Sequence, residues 1–158
     1  MGCSLLLDAV VRSFFVLPDA FLPVRPNETN SKWSARVLAV DDNQINRIVI
    51  VEIMKNAGLE CVVVESGAIA LDTVKSEPFN IVLMDCQMPV MDGYETTEKI
   101  RQWERETERQ TRLPIIALTA NVTPEDVKKC FEAGMDAYCS KPINSAQLFK
   151  EMKRLLDK

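Results

Sequence analysis

Histidine is absent from this sequence of 158 residues. Its absence excludes catalytic Ser-His and Cys-His pairs, and it excludes zinc sites that depend on imidazole ligands. It also means that the chain cannot carry a phosphohistidine of its own. Acceptor or catalytic chemistry in these residues must therefore rest on carboxylates, hydroxyls, thiols or amines.

The sequence also lacks a long apolar run and a cluster of basic residues. Its most apolar segment, Leu5–Leu17, is interrupted by Asp8 and Arg12 and is too short to span a bilayer. The net charge is −4, the isoelectric point is near 5.0, and no run of Lys and Arg is present. We therefore expect neither a membrane span nor a nucleic-acid partner.

Cysteine is present but forms no C-x-x-C motif. The 5 cysteines are odd in number, and most of them lie in apolar or helical runs. This distribution is typical of small buried hydrophobic residues in a reducing compartment. Nothing in the sequence supports a redox role for Cys86, although it follows Asp85 directly.

The length and the composition, 47% apolar and 27% charged, predict one soluble domain with an N-terminal extension. Residues 1–34 would form the extension, an apolar segment followed by a linker rich in Pro, Asn and Ser, and residues 35–158 the domain. A helix over Leu5–Leu17 would have a broad apolar face, so packing or dimerisation is the favoured interpretation. Disorder and membrane association are the alternatives.

Short apolar runs rich in Val and Ile alternate with helical patterns from Arg36 onward. The predicted strands are Val37–Val40, Cys61–Val64, Ile81–Met84, Ile115–Leu118 and, more weakly, Ala137–Cys139. Strands that are apolar on both faces are typical of a parallel sheet covered by helices on both sides. The alternation predicts five βα units in an open α/β sheet.

Capping residues mark the helices between these strands. The first helix has one apolar face, made of Ile45, Ile48, Val49, Ile53 and Ala57. The predicted boundary residues are Gly58 after the first helix, Ser66 and Val74 for the second, Gly93 before the third, Thr123 and Gly134 for the fourth, and Asn144 before the fifth. The charged segment Arg101–Leu113 is interpreted as a solvated extension of the third helix and its loop.

Polar residues follow four of the five strands. They are Asp41 and Asp42 after the first strand, Asp85 after the third, Thr119 after the fourth, and Lys141 with Pro142 after the fifth. In the flavodoxin-like strand order 2-1-3-4-5, the first and third strands are neighbours, so three carboxylates meet at one edge of the sheet. Their mutual repulsion calls for a cation, and Mg²⁺ prefers oxygen ligands.

A metal-bound carboxylate beside a lysine is also suited to phosphoryl transfer. Mg²⁺ and Lys141 would neutralise the charge of the transferring group, and Asp85 could act as the nucleophile to give an acyl phosphate. Met88-Pro89 and Asp92-Gly93 turn the chain away after the strand. A backbone carbonyl is thereby left free to face the metal.

Four stretches together resemble the receiver domain of two-component phosphorelay systems, most of all the receivers of hybrid histidine kinases. They are VLAVDDNQINR, IVLMDCQMPVMDGYE, PIIALTA and GMDAYCSKPI, and the resemblance extends over residues 36–156. It implies that Asp85 is the phosphoacceptor. It also implies that Asp42 binds Mg²⁺ directly and Asp41 through water, with Asp85 and the Gln87 backbone carbonyl completing the protein ligands.

The resemblance implies further roles around the acceptor. Thr119 and Lys141 would bind the phosphoryl group, and Thr119 and Tyr138 would form a conformational switch. Gln87 and Asn121 would tune hydrolysis of the acyl phosphate, and the bond before Pro142 would be cis.

The implied reaction is Mg²⁺-dependent phosphoryl transfer from a partner's phosphohistidine to Asp85, with Mn²⁺ able to replace Mg²⁺. The expected partners are a histidine kinase, a histidine phosphotransfer protein or both. A homodimer through the fourth helix, fifth strand and fifth helix, or through the N-terminal segment, is a further expectation. The chain would be a signalling domain and not a turnover enzyme, and it would act by a conformational switch or by onward transfer. A cytoplasmic location is expected, alone or within a larger membrane-attached hybrid kinase.

Two other classes are compatible with parts of the pattern. A phosphatase of the haloacid-dehalogenase type uses an aspartate nucleophile, but it needs a second acid where this sequence has Gln87. A pseudo-receiver, a binding module that is never phosphorylated, usually lacks a central residue, whereas this sequence retains all of them.

Overall fold

The computed structural model describes residues 34–157, which form five strands and five helices in strict alternation. The strands are β1 (Arg36–Val40), β2 (Glu60–Val64), β3 (Ile81–Asp85), β4 (Ile115–Thr119) and β5 (Ala137–Ser140). The helices are α1 (Gln44–Asn56), α2 (Gly67–Ser76), α3 (Gly93–Glu106), α4 (Pro124–Ala133) and α5 (Ser145–Leu156). The prediction for Leu5–Leu17 lies outside the described residues, so the boundary between the extension and the domain stays a prediction.

The strands form one parallel sheet in the order β2-β1-β3-β4-β5. Val40 is in register with Met84, Asp85 with Leu118, and Thr119 with Ser140. The register brings the carboxyl ends of β1, β3, β4 and β5 to one edge. The predicted flavodoxin-like architecture is confirmed.

Helices cover both faces of the sheet, and each face has its own apolar core. On one side, Ile50 and Met54 of α1 and Leu148 and Met152 of α5 pack against the sheet. On the other side, α2, α3 and α4 contribute residues such as Ala70, Ile100 and Cys130. Burial of each large aliphatic side chain stabilises the fold by about 1.5–3 kcal/mol, so the central strands are held firmly from both sides.

The two edge strands are less covered than the sequence predicts. Cys61 to Val64 in β2 are each half-buried, and β5 alternates between buried and half-buried residues. By contrast, every residue of β3 and β4 is buried. The prediction that all five strands are buried on both faces is therefore wrong for the edges, because each edge strand has a neighbour on one side alone.

The structure confirms three predicted helix N-caps. Ser66, Thr123 and Asn144 each accept a hydrogen bond from a backbone N–H in the first turn of the helix that follows. Gly134 ends α4 with φ +107°, a conformation that glycine adopts without the steric cost of a Cβ atom. Two boundaries differ: α2 continues past Val74 to Ser76 before Pro78, and α3 begins at Gly93 itself, with Asp92 as its N-cap.

The apolar face predicted for α1 packs on the sheet through Ile53 and Ala57 but not through its first three residues. Ile45, Ile48 and Val49 are 70%, 55% and 41% exposed, whereas Ile50 and Met54 are fully buried. The prediction is wrong for Ile45, Ile48 and Val49 because this helix is apolar over more than one face, and periodicity alone cannot say which face meets the sheet. An apolar surface consequently remains at the start of α1.

The segment Arg101–Leu113 is not simply a solvated extension. Arg101 and Glu104 are 6% and 8% exposed and form an ion pair of 2.7 Å. Arg101 also pairs with Asp136 at 2.9 Å, and Glu104 accepts a hydrogen bond of 2.7 Å from the Leu113 N–H. This network ties the end of α3 to the two loops that precede β4 and β5, so the original interpretation is wrong for these residues.

Candidate functional site

The sheet brings three acids together at the carboxyl edge. Oxygens of Asp41, Asp42 and Asp85 all lie within 4.8 Å of one another. Asp41 and Asp85 are 0% and 2% exposed, whereas Asp42 faces solvent. The cluster is therefore buried on the side of the sheet and open at Asp42, where a small ion or ligand can enter.

Lys141 places a positive charge inside this cluster. Its Nζ atom donates a 2.9 Å hydrogen bond to Asp85 Oδ1 and lies 3.1 Å from Asp41 Oδ2. Burial lowers the pKa of Lys141, but the hydrogen bonds and charges of Asp85 and Asp41 outweigh burial and raise it. The ammonium group therefore stays charged and links β1 and β3 to the end of β5.

Asp85 is held by two donors on one oxygen. Besides Lys141, the Gln87 backbone N–H donates to Asp85 Oδ1 at 3.1 Å. Burial raises the pKa of Asp85 to about 6, and repulsion from Asp41 adds to the effect, while the bonds from Lys141 and Gln87 oppose it. The carboxylate is thus poised to titrate just below neutral pH, in a fixed orientation.

Asp41 is positioned by the first turn of α1, which the sequence analysis did not single out. The Asn43 N–H donates to Asp41 Oδ1 at 2.9 Å, and Asn46 Nδ2 lies 3.4 Å from the same atom. The Arg47 guanidinium donates to the backbone carbonyl of Asp41 at 2.8 Å. The stretch DDNQINR contains these residues, so the signal was present, but their direction towards Asp41 needed the helix geometry.

Thr119 lies at the end of β4, where its hydroxyl is occupied by the following loop. The Oγ1 atom donates to the Asn121 carbonyl at 2.8 Å and accepts from the Asn121 N–H at 3.1 Å. Thr119 is 3% exposed, whereas the Asn121 side chain faces solvent. Thr119 is close to the acidic edge in the sheet, but its hydroxyl bonds locally.

Tyr138 and the end of β5 complete the edge. Tyr138 is half-buried on β5, and its ring contacts that of Phe131 edge to face, with centroids 6.4 Å apart. The Lys141 N–H donates to the Thr119 carbonyl at 2.8 Å, which fixes the chain as it leaves β5. The Lys141–Pro142 peptide bond is cis.

The chain turns sharply after Asp85, and Gly93 makes this turn compact. The Gly93 N–H donates to the Cys86 carbonyl at 3.1 Å. A Cβ atom at Gly93 would lie 2.2 Å from the Asp85 carbonyl oxygen, so no other residue fits there without displacing the backbone. Gln87 remains exposed at the rim of the cluster.

The donor set suits a hard divalent cation. Asp41 Oδ2 is buried without an aligned hydrogen bond among the described residues, although Lys141 Nζ lies 3.1 Å away. A second positive centre would satisfy this oxygen and relieve the repulsion between the three acids. Carboxylate oxygens are the ligands that Mg²⁺ prefers in proteins, so the residues present fit a magnesium ion.

Residues 37–153 match the family model described as the response regulator receiver domain. The chain belongs to this receiver family. The receiver is 45% identical to the sensor histidine kinase GacS of Pseudomonas protegens over 136 residues, 84% of this chain and 15% of that protein. It thus spans a small part of the length of the relatives that it matches. The predicted likeness to receivers of hybrid histidine kinases is confirmed.

Solved receiver structures resemble it closely. A receiver domain of a sensor histidine kinase from Pseudomonas aeruginosa has a TM-score of 0.71 at 35% identity, covers 80% of this chain and 100% of its own, and has magnesium coordinated in its active-site cleft. The receiver domain of Ssk1 from Saccharomyces cerevisiae, solved with the histidine phosphotransfer protein Ypd1, has a TM-score of 0.73 at 28% identity. That match covers 77% of this chain and 88% of the other.

Within residues 34–157, no helix combines the length and the apolar composition that a crossing of the bilayer requires.

Proposed function

We propose that this receiver accepts a phosphoryl group on Asp85 from a phosphohistidine of another protein. The observation that carries the proposal is the geometry of Asp85, a buried carboxylate fixed by Lys141 at 2.9 Å and by the Gln87 N–H at 3.1 Å. A buried aspartate would be costly in a purely structural role, because burial raises its pKa to about 6. Its cost is explained if the carboxylate is a nucleophile.

In the proposed reaction, an Asp85 oxygen attacks the phosphorus atom of the donor. The new P–O bond forms as the P–N bond to the donor imidazole breaks, and the leaving imidazole takes up a proton. Lys141 pairs with the charge that develops on the phosphoryl oxygens. The receiver assists its own phosphorylation and dephosphorylation without being a turnover enzyme.

Mg²⁺ would be held by Asp41, Asp42, Asp85 and the backbone carbonyl of Gln87, and when bound it neutralises negative charge on the phosphoryl group. Asp41 is kept in place for this role by Asn43 and Arg47. We propose that Mn²⁺ can serve as well, since it also prefers oxygen ligands.

We further propose that Thr119 and Tyr138 report the phosphorylation state. The Thr119 hydroxyl must leave the Asn121 carbonyl, to which it donates at 2.8 Å, before it can bind a phosphoryl oxygen. That movement would open space next to Tyr138 and change the face made of α4, β5 and α5, through which a homodimer could form. The exposed Gln87 and Asn121 side chains are placed at the rim, where they would influence the access of hydrolytic water.

An intact-mass experiment tests the acceptor chemistry. The chain is incubated with acetyl phosphate in Mg²⁺ or in EDTA, alongside Asp85→Asn and the control Asp92→Asn, which changes an exposed acid that caps α3. We expect one added phosphoryl group in the wild type and the control, in Mg²⁺ alone. An adduct that persists in Asp85→Asn would contradict the proposal, as would a wild type that gains no adduct and binds no beryllofluoride.

We propose that the donor is a helical histidine phosphotransfer protein or kinase domain that docks on the exposed apolar surface of α1. This α1 surface is Ile45, Ile48 and Val49, and it begins next to the acidic cluster at the start of the helix. Val90, fully exposed in the loop after Asp85, adds an apolar contact on the other side of the site. Apolar surface beside a reactive group is typical of a docking site.

Docking is separated from chemistry by comparing two donors. With phosphorylated Ypd1 as the protein donor, the double variant Ile45→Ala, Ile48→Ala should react about tenfold more slowly, through the loss of roughly 1–2 kcal/mol of binding. With acetyl phosphate it should react at the wild-type rate. Ile69→Ala, a matched change of an exposed residue on α2, should leave both rates unchanged. Equal slowing with both donors would contradict docking at α1.

A cytoplasmic location, within a longer membrane-attached hybrid kinase or alone, is proposed from the family. Its relatives are much longer sensor kinases, of which this receiver corresponds to 15% in the case of GacS. The output would then be onward phosphoryl transfer or a protein contact.

A further inference from the structure

Two cysteines meet directly behind the phosphoacceptor. The sulfur atoms of Cys86 and Cys130 lie 4.0 Å apart, although the residues are separated by 44 positions in sequence. They are 1% and 0% exposed, and neither is in a disulfide. Because a disulfide needs sulfurs about 2.05 Å apart, a shift of about 2 Å would allow the bond to form.

The two sulfurs are attached to differently anchored parts of the fold. The Cys86 N–H donates to the Leu118 carbonyl at 3.0 Å, and the Cys86 carbonyl accepts from Gly93 at 3.1 Å, so its backbone is held by β4 and α3. Cys130 lies near the end of α4, a helix on the surface of the sheet. The approach of the sulfurs is therefore expected from side-chain rotation of Cys130 and a small movement of α4.

The surroundings of the pair distinguish it from the other described cysteines. The hydrogen bond between the two thiols lowers the pKa of Cys130 and raises that of Cys86, and the Tyr94 hydroxyl interacts with both. Tyr94, which interacts with both thiols, also lines a cleft of about 1000 Å³ between α3 and α4. By contrast, burial raises the pKa of Cys61 and of Cys139 to about 11, which makes them poor nucleophiles.

We propose that Cys86 and Cys130 are an oxidisable pair that a hydroperoxide closes into a reversible disulfide. One thiolate of the pair attacks the terminal peroxide oxygen, the O–O bond breaks, and a sulfenic acid and an alcohol or water are formed. The other sulfur then attacks the sulfenic sulfur, the S–O bond breaks, and water leaves as the S–S bond forms. The two thiols lose two electrons, which reduce the hydroperoxide, and a dithiol reverses the reaction.

Closure of the bond changes the site next to it. Cys86 lies between Asp85 and Gln87, whose backbone N–H orients the Asp85 carboxylate. A displacement of about 1 Å at a nucleophile can slow a reaction on the order of a hundredfold. The oxidised chain is therefore expected to accept phosphoryl groups more slowly, a consequence that rests on the proposed function.

Peptide mapping of the full chain under non-reducing conditions tests the pair. The reduced protein is titrated with hydrogen peroxide until the half-buried Cys61 is measurably oxidised, and it is then digested. We expect a cross-linked peptide joining Cys86 to Cys130 that disappears with dithiothreitol. It should be absent from Cys130→Ala and from Cys86→Ala, and it should persist in the matched control Cys61→Ala.

Three results would overturn the proposal. The pair could remain reduced while Cys61 is oxidised, it could proceed to sulfinic acid without a cross-link, or the cross-links could involve Cys3 or Cys139 instead. Acetyl phosphate labelling of the reduced and oxidised protein measures the consequence separately. If the reduced protein is not labelled, the proposed function fails, but the peptide map still decides whether the disulfide forms.

Discussion

At the scale of single residues, the fold maintains a carboxylate in an unfavourable place. Asp85 is 2% exposed, and burial raises its pKa to about 6, while Lys141 limits the effect. Asp41 and the exposed Asp42 add negative charge from the loop after β1, so Lys141 alone does not neutralise the cluster. A bound cation, or conversion of the carboxylate to an acyl phosphate, would relieve the unfavourable free energy of the ionised Asp85 side chain.

Asp85→Asn should raise the free energy of unfolding in EDTA at neutral pH. The folded pKa of about 6 lies above the ordinary 3.8, so ionisation of Asp85 destabilises the native state once the pH exceeds both values. The variant should be more stable than the wild type by about 1–3 kcal/mol at pH 7.5. The gain should shrink as the pH falls through 6 and should vanish below about pH 4.

Urea denaturation at pH 7.5 and at pH 4 measures this difference. Asp42→Asn is the matched control, because Asp42 belongs to the same cluster but faces solvent. Its effect should be smaller at both pH values. A stabilisation of Asp85→Asn that is independent of pH would show that ionisation of Asp85 is not its cause.

Magnesium affinity should follow the same titration. Because Asp85 has a pKa of about 6, a proton competes with Mg²⁺ for the carboxylate in mildly acidic solution. We expect the dissociation constant from isothermal titration calorimetry to rise by about tenfold between pH 7 and pH 5, as one proton is displaced per ion. An affinity that does not change over this range would mean that Asp85 is not a ligand.

At the scale of elements, the site depends on how the segments between strand and helix turn. The start of α1 holds Asp41 through Asn43 and Arg47, and the start of α3 packs against the backbone of Asp85 through Gly93. In both cases the N-terminus of a helix contacts an aspartate that lies at the carboxyl end of a strand. The rigidity of the acids therefore comes from the strand–helix turns as much as from the sheet.

Gly93→Ala should disturb this arrangement strongly. The added Cβ would lie 2.2 Å from the Asp85 carbonyl oxygen, and backbone atoms cannot move aside as a flexible side chain does. We expect a loss of about 1–3 kcal/mol in unfolding free energy, the usual cost of overpacking, and slower labelling by acetyl phosphate. Glu98→Ala, an exposed change on the same helix, should affect neither quantity. Wild-type behaviour of Gly93→Ala would show that the turn can relax.

At the scale of the whole molecule, a buried ionic network connects parts that the sheet does not. Arg101 binds Glu104, Asp136 and the Gly134 carbonyl, at 2.7, 2.9 and 2.8 Å. It thereby joins α3 to the loop between α4 and β5. Because Tyr94 lies on α3 and Cys130 on α4, the stability of this network bears on the oxidisable pair as well.

Arg101→Met should destabilise the protein by about 3 kcal/mol, because it leaves the buried Glu104 carboxylate without its ion-pair partner, whereas Asp136 keeps Arg112. The second change Glu104→Gln should recover part of the loss, since an amide oxygen can still accept from the Leu113 N–H without a buried charge. Arg105→Met changes an exposed arginine on the same helix and should be close to neutral. Chemical denaturation measures all four proteins. Similar losses for the two arginine variants would argue that the network adds little.

Much of the fold and of the candidate site could be predicted from particular residues. The strands and the caps at Ser66, Thr123 and Asn144 follow from local patterns of apolar and capping residues. The strand order was expected from the flavodoxin-like class of open α/β sheets and not from local patterns. The set Asp41, Asp42, Asp85, Thr119 and Lys141 follows from one rule, that ligands bind at the carboxyl ends of parallel strands. The roles of those residues stay predictions until the labelling experiment is done.

The sequence by itself determined the parallel α/β class and the gathering of acids at one edge, because both depend on the order and spacing of residues along the chain. Tertiary structure alone decided which face of α1 is exposed, how deeply Arg101 and Glu104 are buried, and how close Cys86 and Cys130 lie. These features depend on distances between segments that are far apart in sequence. Periodicity and composition contain no information about such distances until the helices are packed on the sheet.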